Sequence, residues 1–473
     1  MFDVANAADA ICKASFSFTK GVIFMKSSQR RQLLLATLAA TATSALPFAA
    51  LARRSVVPTL AVKNSYLQAN LAASKASYGA AFTFSDMVDA WGIAIRPAGA
   101  GGHFWVTAGG KSYQFVGDVA ASATPTLRTL FQDGLAEVFV PGADALTSAD
   151  SIGKTTGTAF NGALINSDAF RVTTQTATRA GNSVRFDGSA RFAFVTDSGA
   201  ISGWTDRAAD GSTVRVNGPA QLVFNGADQG MSFFGVAFKT DTWDAMWTAD
   251  FGIDPQIRQF DKNWQLVPTV GFANPFATGD LRDATNPGAG NKAKPGDPVP
   301  FNIHVINGRV FVMYCMSQVL RNDAGFIKDA GQFFASEEDS LDAAGEEKAG
   351  GFPNRGKVVE YTLTGDLVRV YDDLGRLNAP WGVAIAPANF GLHSNRLLVG
   401  NFGGAGKVAV FNQDTGRFID FLRNPDGEVI ALDGLWALMF GNGASLGDTN
   451  ALYFAAGTEG EAAGLFGSLR YSA

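Results

Sequence analysis

The sequence predicts an all-β fold, a six-bladed β-propeller made of four-stranded antiparallel blades. Three observations lead to this prediction. A short motif, in its clearest copies tryptophan followed by glycine, recurs along the chain, and brief alternating apolar runs follow each copy. Glycine (54 residues) and phenylalanine (38 residues) are frequent, whereas charged residues make up only 17% of the chain. Short strands separated by glycine-rich turns have this composition.

The repeated motif is clearest in Trp91–Ile95 and Trp381–Ile385, which read W-G-I-A-I and W-G-V-A-I. Self-similarity at a regular spacing is typical of repeat architectures. Six copies are found, the weakest being the second, and they lie at 91–95, 157–162, 234–238, 301–305, 381–385 and 435–439.

Further apolar runs follow each copy and predict the remaining strands of a blade. The fifth unit has all of them, with Leu397–Gly400, Lys407–Phe411 and Phe418–Leu422 after its motif. Alternation with period two, bounded by Gly, Asn and Asp, indicates strands and hairpins. One sheet leaves both faces uncovered, and each blade of a closed ring covers its neighbour.

The last unit contains only three predicted strands before the chain ends. We expect its missing outer strand to come from Ser65–Leu71, so that the two ends of the domain meet in one blade. The domain prediction is therefore a single propeller over residues 53–473.

Residues 1–52 are interpreted as an upstream extension and an export signal, with the signal proper starting at Met25. A basic start containing Arg30 and Arg31 precedes an apolar stretch that ends in the small-x-small pattern of Ala50 and Ala52. The two arginines favour a twin-arginine signal, and an ordinary secretory signal is the alternative. Either route places the mature protein outside the cytoplasm, in the periplasm or secreted.

The mature chain is acidic and has one cysteine. The first 52 residues contain five of the 38 Lys/Arg and two of the 43 Asp/Glu, which leaves a net charge of −8. This charge argues against nucleic acid as a partner, and no later apolar run is long enough to span a membrane. Cys315 follows an apolar run and is expected to pack in the core. We expect a monomer.

Two segments interrupt the repeat. Residues 285–298 are rich in Pro, Gly and Asn and predict a loop between blades three and four. An insertion at about 318–354 separates the second and third strands of blade four, with room for a short helix. This insertion either shapes the entrance to a binding site or is a solvent-exposed surface loop.

The chain resembles an uncharacterised exported bacterial propeller family, some members of which end in a PEP-CTERM sorting tail. The resemblance rests on the strings that cover most of residues 64–471, namely Trp91–Ala94, Phe194–Trp204, Pro300–Ile303, Pro380–Ala384, Asp433–Leu438 and Phe440–Gly443. That family is similar to the six-bladed NHL and SMP-30/gluconolactonase propellers. Asp89-Ala90 departs from the family's Asn-Pro before the first Trp-Gly, and the chain ends without a sorting tail.

Carboxylate and amide side chains lie at or beside the starts of the predicted inner strands. SMP-30-like propellers hold a catalytic divalent ion at such a place, and oxygen ligands suit calcium or another divalent cation. Asp and Asn are also favoured in turns because they bond to nearby backbone donors. The candidate metal ligands are Asp89, Asn302, Asn378 and Asp433, with Asn161 as an additional member.

No other motif predicts catalysis. His103, His304 and His393 lie in different units without metal-type spacing and are expected to be structural or surface residues. Gly443–Gly447 matches G-x-S-x-G, but lies in a predicted hairpin loop rather than a strand–turn–helix setting.

Two functions remain open at this point. The first is a non-catalytic binding or scaffold propeller that holds an unknown small molecule or protein at one face. The alternative is a metal-dependent hydrolase or lactonase that uses a divalent cation in the central channel.

Overall fold

Six sheets of four or five strands dominate the computed structural model, which describes residues 62–143, 153–282, 290–318, 334–335 and 354–472. All of them belong to one compact unit, Leu60–Ala473. The predicted export signal and nearly all of the 318–354 insertion lie outside the described residues.

The first fifteen strands are β1 (Tyr66–Ala73), β2 (Phe82–Thr83), β3 (Ala90–Ala94), β4 (Phe104–Ala108), β5 (Lys111–Phe115), β6 (Glu137–Phe139), β7 (Thr155–Phe160), β8 (Arg171–Val172), β9 (Thr176–Arg179), β10 (Asn182–Arg185), β11 (Gly188–Ser189), β12 (Phe192–Thr196), β13 (Ala200–Trp204), β14 (Gly218–Pro219) and β15 (Gln221–Asn225). Of these, β1 and β2 belong to blade 6, and the others belong to blades 1 and 2 and their connections.

Blades 3 to 6 contain β16 (Phe233–Phe238), β17 (Ala245–Asp250), β18 (Gln256–Asp261), β19 (Leu266–Val267), β20 (Pro298–Ile306), β21 (Arg309–Gln318), β22 (Phe334–Ala335), β23 (Gly356–Tyr361), β24 (Leu367–Val370), β25 (Pro380–Ile385), β26 (Leu397–Asn401), β27 (Val408–Phe411), β28 (Phe418–Phe421), β29 (Leu435–Phe440), β30 (Ala451–Ala456) and β31 (Leu465–Tyr471). Short 3₁₀ turns occur at Ala76–Tyr78, Pro125–Arg128, Ala227–Gln229 and Gly391–His393.

The innermost strands of the six blades form a closed ring. Strand β3 contacts β7, and the contacts continue through β16, β20, β25 and β29 back to β3. Within each blade the successive principal strands pair antiparallel. The prediction of a six-bladed, four-stranded propeller is confirmed.

Both ends of the domain contribute to the last blade, whose order is β2-β1-β31-β30-β29. Strand β1 pairs antiparallel with β31, from Tyr66 opposite Tyr471 to Ala73 opposite Leu465. The Tyr66 hydroxyl also donates to the Phe390 carbonyl of blade 5, over 2.9 Å. The predicted closing strand Ser65–Leu71 is therefore confirmed, with bounds shifted by one or two residues.

Glycine in the repeated motif permits close approach between inner strands. A Cβ on Gly382 would lie 2.4 Å from the Trp436 main-chain oxygen of the next blade. A Cβ on Gly235 would lie 2.0 Å from the Asn302 Oδ1 of its next blade. A real Cβ could not lie at either distance unless the backbone or a packed side chain moved. Glycine at these positions therefore allows the inner strands of adjacent blades to pack closely.

Large aromatic side chains hold adjacent blades together. Trp105 of blade 1 stacks on Phe192 of blade 2, with ring centroids 4.2 Å apart, and contacts Trp204 at 4.7 Å. Trp105 and Trp204 are almost completely buried. Such aromatic pairs add to the hydrophobic stabilisation that each sheet receives from its neighbour.

Several features differ from the prediction or extend it. Strand β7 starts at Thr155, two residues before the predicted second copy of the motif. The connection between β7 and β12 carries two small paired units, β8 with β11 and β9 with β10, which were not predicted. Cys315 is buried in the core, as expected. No helix among the described residues is long and apolar enough to cross a membrane.

Candidate ligand-binding pocket

One mouth of the central axis is filled by aromatic side chains. The inner strands run in the same direction around the ring, so residues near their starts meet at one end of the axis. Trp91 and Trp436 stack there with centroids 3.8 Å apart, and Phe402 also stacks on Trp436 at 3.8 Å. The side chains of this axial plug are Trp91, Phe234, Phe301, Trp381, Phe402 and Trp436.

Asp89, the first predicted metal ligand, lies beside the plug and is paired with a lysine. Its side chain is 2% exposed, and its carboxylate accepts a hydrogen bond from Trp436 Nε1 over 2.9 Å. Lys154 Nζ lies 2.8 Å from the other carboxylate oxygen, 2.6 Å from Glu461 and 4.9 Å from the ring centroid of Trp91. Burial raises the pKa of Asp89 to about 6, although Lys154 opposes this shift.

The other predicted metal ligands make separate hydrogen bonds. Asn302 Nδ2 donates to the Trp381 carbonyl over 2.7 Å, and so links blade 4 to blade 5. Asp433 is exposed and accepts from the Glu459 amide over 2.8 Å. Asn378 is buried, and its main-chain amide donates to a side-chain oxygen of blade 5 over 3.0 Å.

Asn161 was predicted to lie beside a strand start, and this was wrong. It follows the last residue of β7 and therefore lies at the opposite end of the inner strand. Its Nδ2 donates to the Ala190 carbonyl over 2.9 Å, and its Oδ1 accepts from the Ala163 amide over 3.0 Å. Among the described residues, no three His, Cys, Asp or Glu side chains form a group suited to a metal ion.

Towards the ends of the inner strands the axis opens into a cavity of about 210 Å³. Its lining is mainly apolar, with Ile95, Phe160, Phe238 and Met439 among the contributors. His304 also lines this cavity. This position of His304 was not predicted from the sequence. Burial lowers the pKa of His304 to about 4, so its imidazole is neutral at pH 7.

His103 and His393 have structural positions, as expected. Both are buried, and His103 Nε2 lies 2.8 Å from the Asp133 carboxylate. His393 lies in a short 3₁₀ turn of blade 5.

A larger pocket, of about 830 Å³, adjoins this open end over blades 1, 2 and 3, and we call it the blade 1–3 pocket. It shares Ile95, Phe160 and Trp243 with the smaller cavity. The loop after β7 forms one wall, and the connection from β13 to β15 forms another. Its lining comprises Ile95, Arg96, Pro97, Ala100, Phe160, Gly162, Ala163, Leu164, Ile165, Arg191, Asp206, Thr213, Arg215 and Trp243.

The charged residues of this pocket are three arginines and one aspartate. Asp206 Oδ2 accepts hydrogen bonds from Arg96 Nη2 over 2.9 Å and from Arg215 Nε over 3.0 Å. Burial alone would raise the pKa of Asp206, but the two guanidinium groups outweigh burial and hold this pKa below its usual value. Burial, together with the nearby charge of Arg96, lowers the pKa of Arg191 to about 10.

Sequence reasoning did not find this pocket. It considered the residues that precede the inner strands, whereas Arg96 follows one of them by two positions and Arg191 directly precedes a second strand. Arg215 and Asp206 come from a connection without repeat character. Of the four charged residues of the pocket, a search at the ends of the inner strands would have found Arg96 alone.

Comparisons with known proteins give relatives without an assigned activity. No protein-family profile matches the chain. Two uncharacterized proteins of Acanthamoeba polyphaga mimivirus are similar, one with 32% identity over 117 residues and one with 28% identity over 226 residues. The matches cover 25% and 48% of this chain and 30% and 46% of the relatives. The chain thus spans less than half the length of these relatives.

Solved propeller structures are also similar. A gluconolactonase from Xanthomonas campestris shows 12% identity and a TM-score of 0.31, over 64% of this chain and 97% of that one. The WD40 propeller domain of Doa1 shows 9% identity and a TM-score of 0.36, over 86% of this chain and 97% of that one.

Proposed function

We propose that the protein is a non-catalytic binding propeller that holds a small ligand in the blade 1–3 pocket. The observation that carries this proposal is the contrast between the two ends of the axis. One end is filled by the axial plug, whereas the other opens into a pocket of about 830 Å³ with apolar walls and a few convergent polar groups. Pockets of this size and lining are typical of small-molecule sites.

The alternative, a hydrolase with a divalent cation on the axis, has less support. A cation at Asp89 would compete with the ammonium group of Lys154, which lies 2.8 Å from the carboxylate. Asp433 and Asn302 already accept hydrogen bonds from main-chain amides. The metal site therefore stays a prediction, and binding is the function that we propose.

Binding is tested by filling the pocket from an exposed position. Ala100 lines the pocket and is exposed, so Ala100→Trp introduces bulk there without replacing a core side chain. A panel of neutral and anionic small molecules is screened by ligand-observed NMR on the purified propeller. We expect compounds that bind the wild type to lose binding in Ala100→Trp.

The matched control is Ala76→Trp, an exposed alanine near blade 6. Its binding is expected to equal that of the wild type. Compounds that bind Ala100→Trp as well as the wild type would place the site elsewhere, and a panel without any binding compound would contradict a small-ligand function.

We also propose export from a bacterial cell, on the basis of residues 25–52. N-terminal sequencing of the protein from the periplasm of an expressing bacterium is expected to start after Ala52. Replacing both Arg30 and Arg31 by lysine separates the two routes, because a twin-arginine signal loses function and an ordinary signal keeps it. A protein that retains residues 25–52 after expression would contradict export.

A further inference from the structure

The blade 1–3 pocket carries more positive charge than its own carboxylate can balance. Three guanidinium groups face it, from Arg96, Arg191 and Arg215, together with the single carboxylate of Asp206. This surplus is local, because the chain as a whole is acidic, with a formal net charge of −5. A concave site with one sign of charge raises the local concentration of ligands of the opposite sign.

The carboxylate of Asp206 is already engaged. Its Oδ2 accepts from both Arg96 and Arg215. Asp133 lies within electrostatic range of Arg215, but its carboxylate accepts hydrogen bonds from His103 and from the Leu135 amide.

Among the residues that the structure describes, Arg191 has no carboxylate within salt-bridge distance. It is 8% exposed, and its Nη2 donates to two main-chain carbonyls, those of Ala163 and Ala190. Its Nε is buried without a hydrogen-bond partner, and the Nε of Arg96 is in the same condition. A buried cation without a counter-ion is costly, and a bound anion removes that cost.

The rest of the lining suits an apolar body attached to the anion. Ile95, Phe160, Leu164 and Trp243 form apolar surface around the guanidinium groups. Leu164 is 75% exposed, so most of its side chain is free to be covered by a ligand. A ligand that covers Leu164 would remove this apolar surface from water, which stabilises the complex.

We propose that the blade 1–3 pocket recognises an organic oxyanion, a carboxylate or a phosphate ester, through Arg191 and its neighbouring arginines, with the apolar body of the ligand against Leu164 and Trp243. This inference rests on the proposed function and specifies its ligand class. Guanidinium groups suit both anions because their paired N–H donors match two oxygens of either.

The test uses probes with one apolar body and different head groups, measured by isothermal titration calorimetry. They are 4-phenylbutyrate, 4-phenylbutyl phosphate and the neutral 4-phenylbutanol, with inorganic phosphate as the anion alone. The wild type is expected to bind at least one organic anion ten or more times more tightly than the alcohol. Whichever anion binds more tightly identifies the head group.

Arg191→Gln is the decisive variant, and Arg309→Gln is its matched control. Arg309 is an exposed arginine of blade 4, so its replacement makes the same charge change at a residue that does not line the pocket. We expect Arg191→Gln to weaken binding of the organic anion at least tenfold and Arg309→Gln to leave it unchanged. Thermal unfolding of both variants verifies that they fold.

A second pair of variants tests the apolar contact. Leu164→Ala is expected to weaken binding of the organic anion about fivefold to tenfold, whereas Leu367→Ala, an equally simple change at an exposed leucine of blade 4, has no effect. This pair keeps the test informative if Arg191→Gln fails to fold.

The outcomes separate the two proposals. Equal affinity of Arg191→Gln and the wild type, or equal affinity for the alcohol and the anions, overturns the oxyanion inference and leaves the binding function intact. Failure of all anions to bind the wild type also overturns the inference. The binding function is judged separately, by whether Ala100→Trp abolishes binding of the compounds found in the panel.

Discussion

Trp436, in the innermost strand of the last blade, donates its indole N–H to the carboxylate of Asp89, at the entrance to the first blade, over 2.9 Å. The two residues are 347 positions apart in the chain. The hydrogen bond therefore joins blades 6 and 1 at the axis, while β1 joins the two ends of the domain within blade 6.

Asp89 makes a pH-dependent contribution to stability. Burial raises its folded-state pKa to about 6, from an ordinary value of 3.8 for an aspartate. The folded state therefore binds more protons than the unfolded state between about pH 4 and pH 6, and this contribution to stability is lost as the pH rises through 6. Asparagine at position 89 does not titrate. We expect the free energy of unfolding of the wild type, relative to that of Asp89→Asn, to rise by about 2 kcal/mol as the pH falls from 7 to 4.

Urea unfolding of both proteins at pH 7, 6, 5 and 4 measures this difference. The remaining titrating groups are common to both proteins and cancel in the comparison. A free-energy difference that is constant with pH, or that changes in favour of the variant as the pH falls, is incompatible with a raised pKa at Asp89.

The closing strand is expected to stabilise the ring through Tyr66. This side chain is almost fully buried and stacks on Phe390 with centroids 4.6 Å apart. Tyr66→Ala removes the packing and the hydroxyl contact to blade 5, and should lower the free energy of unfolding by about 3–4 kcal/mol. Leu67→Ala, in the same strand but 55% exposed, should change it by less than about 0.5 kcal/mol. Similar effects of the two substitutions would argue against closure by this strand.

The glycine of the repeated motif is expected to tolerate no side chain. Gly382→Ala places a methyl group 2.4 Å from the Trp436 main-chain oxygen and should destabilise the protein by about 2 kcal/mol or more. Gly134→Ala is the control, because its methyl group would have 3.9 Å to the nearest backbone atom. Denaturant unfolding should show a change of less than about 0.5 kcal/mol for the control. A neutral Gly382→Ala would contradict the close approach of the inner strands.

Removal of divalent cations is expected to leave the protein unchanged. Lys154 supplies the positive charge beside Asp89, so the folded state does not need a metal ion at that position. The midpoint of thermal unfolding should be the same with and without EDTA, and metal analysis of the purified protein should find less than one equivalent. A clear fall of the midpoint with EDTA would favour the axial metal site.

Much of the fold could be predicted because propeller strands are encoded locally. Trp91–Ile95 and Trp381–Ile385 carry the inner-strand pattern within five residues each. Ser65–Leu71 was assigned as the closing strand because the last unit contains only three predicted strands. The insert between β7 and β12 escaped prediction because its strands are short and its β9–β10 hairpin is largely exposed, with no apolar face to mark it.

The candidate pocket could not be predicted in the same way. Its charges depend on which strand ends the ring brings together, and Arg96, Arg191 and Asp206 come from three separate segments. Asn161 illustrates the same difficulty, because it follows the last residue of β7 and so lies at the opposite end of the axis from the predicted cluster. Such sites depend on contacts between residues that are far apart in the sequence, whereas each strand is recognisable from its local sequence pattern.

A crystal structure of the propeller soaked with 4-phenylbutyrate shows whether the blade 1–3 pocket holds an organic oxyanion. We expect the carboxylate within hydrogen-bonding distance of the Arg191 guanidinium and the phenyl ring against Leu164 or Trp243. Ligand bound beside Asp89 at the axial plug, or ligand bound elsewhere with the blade 1–3 pocket empty, would contradict it.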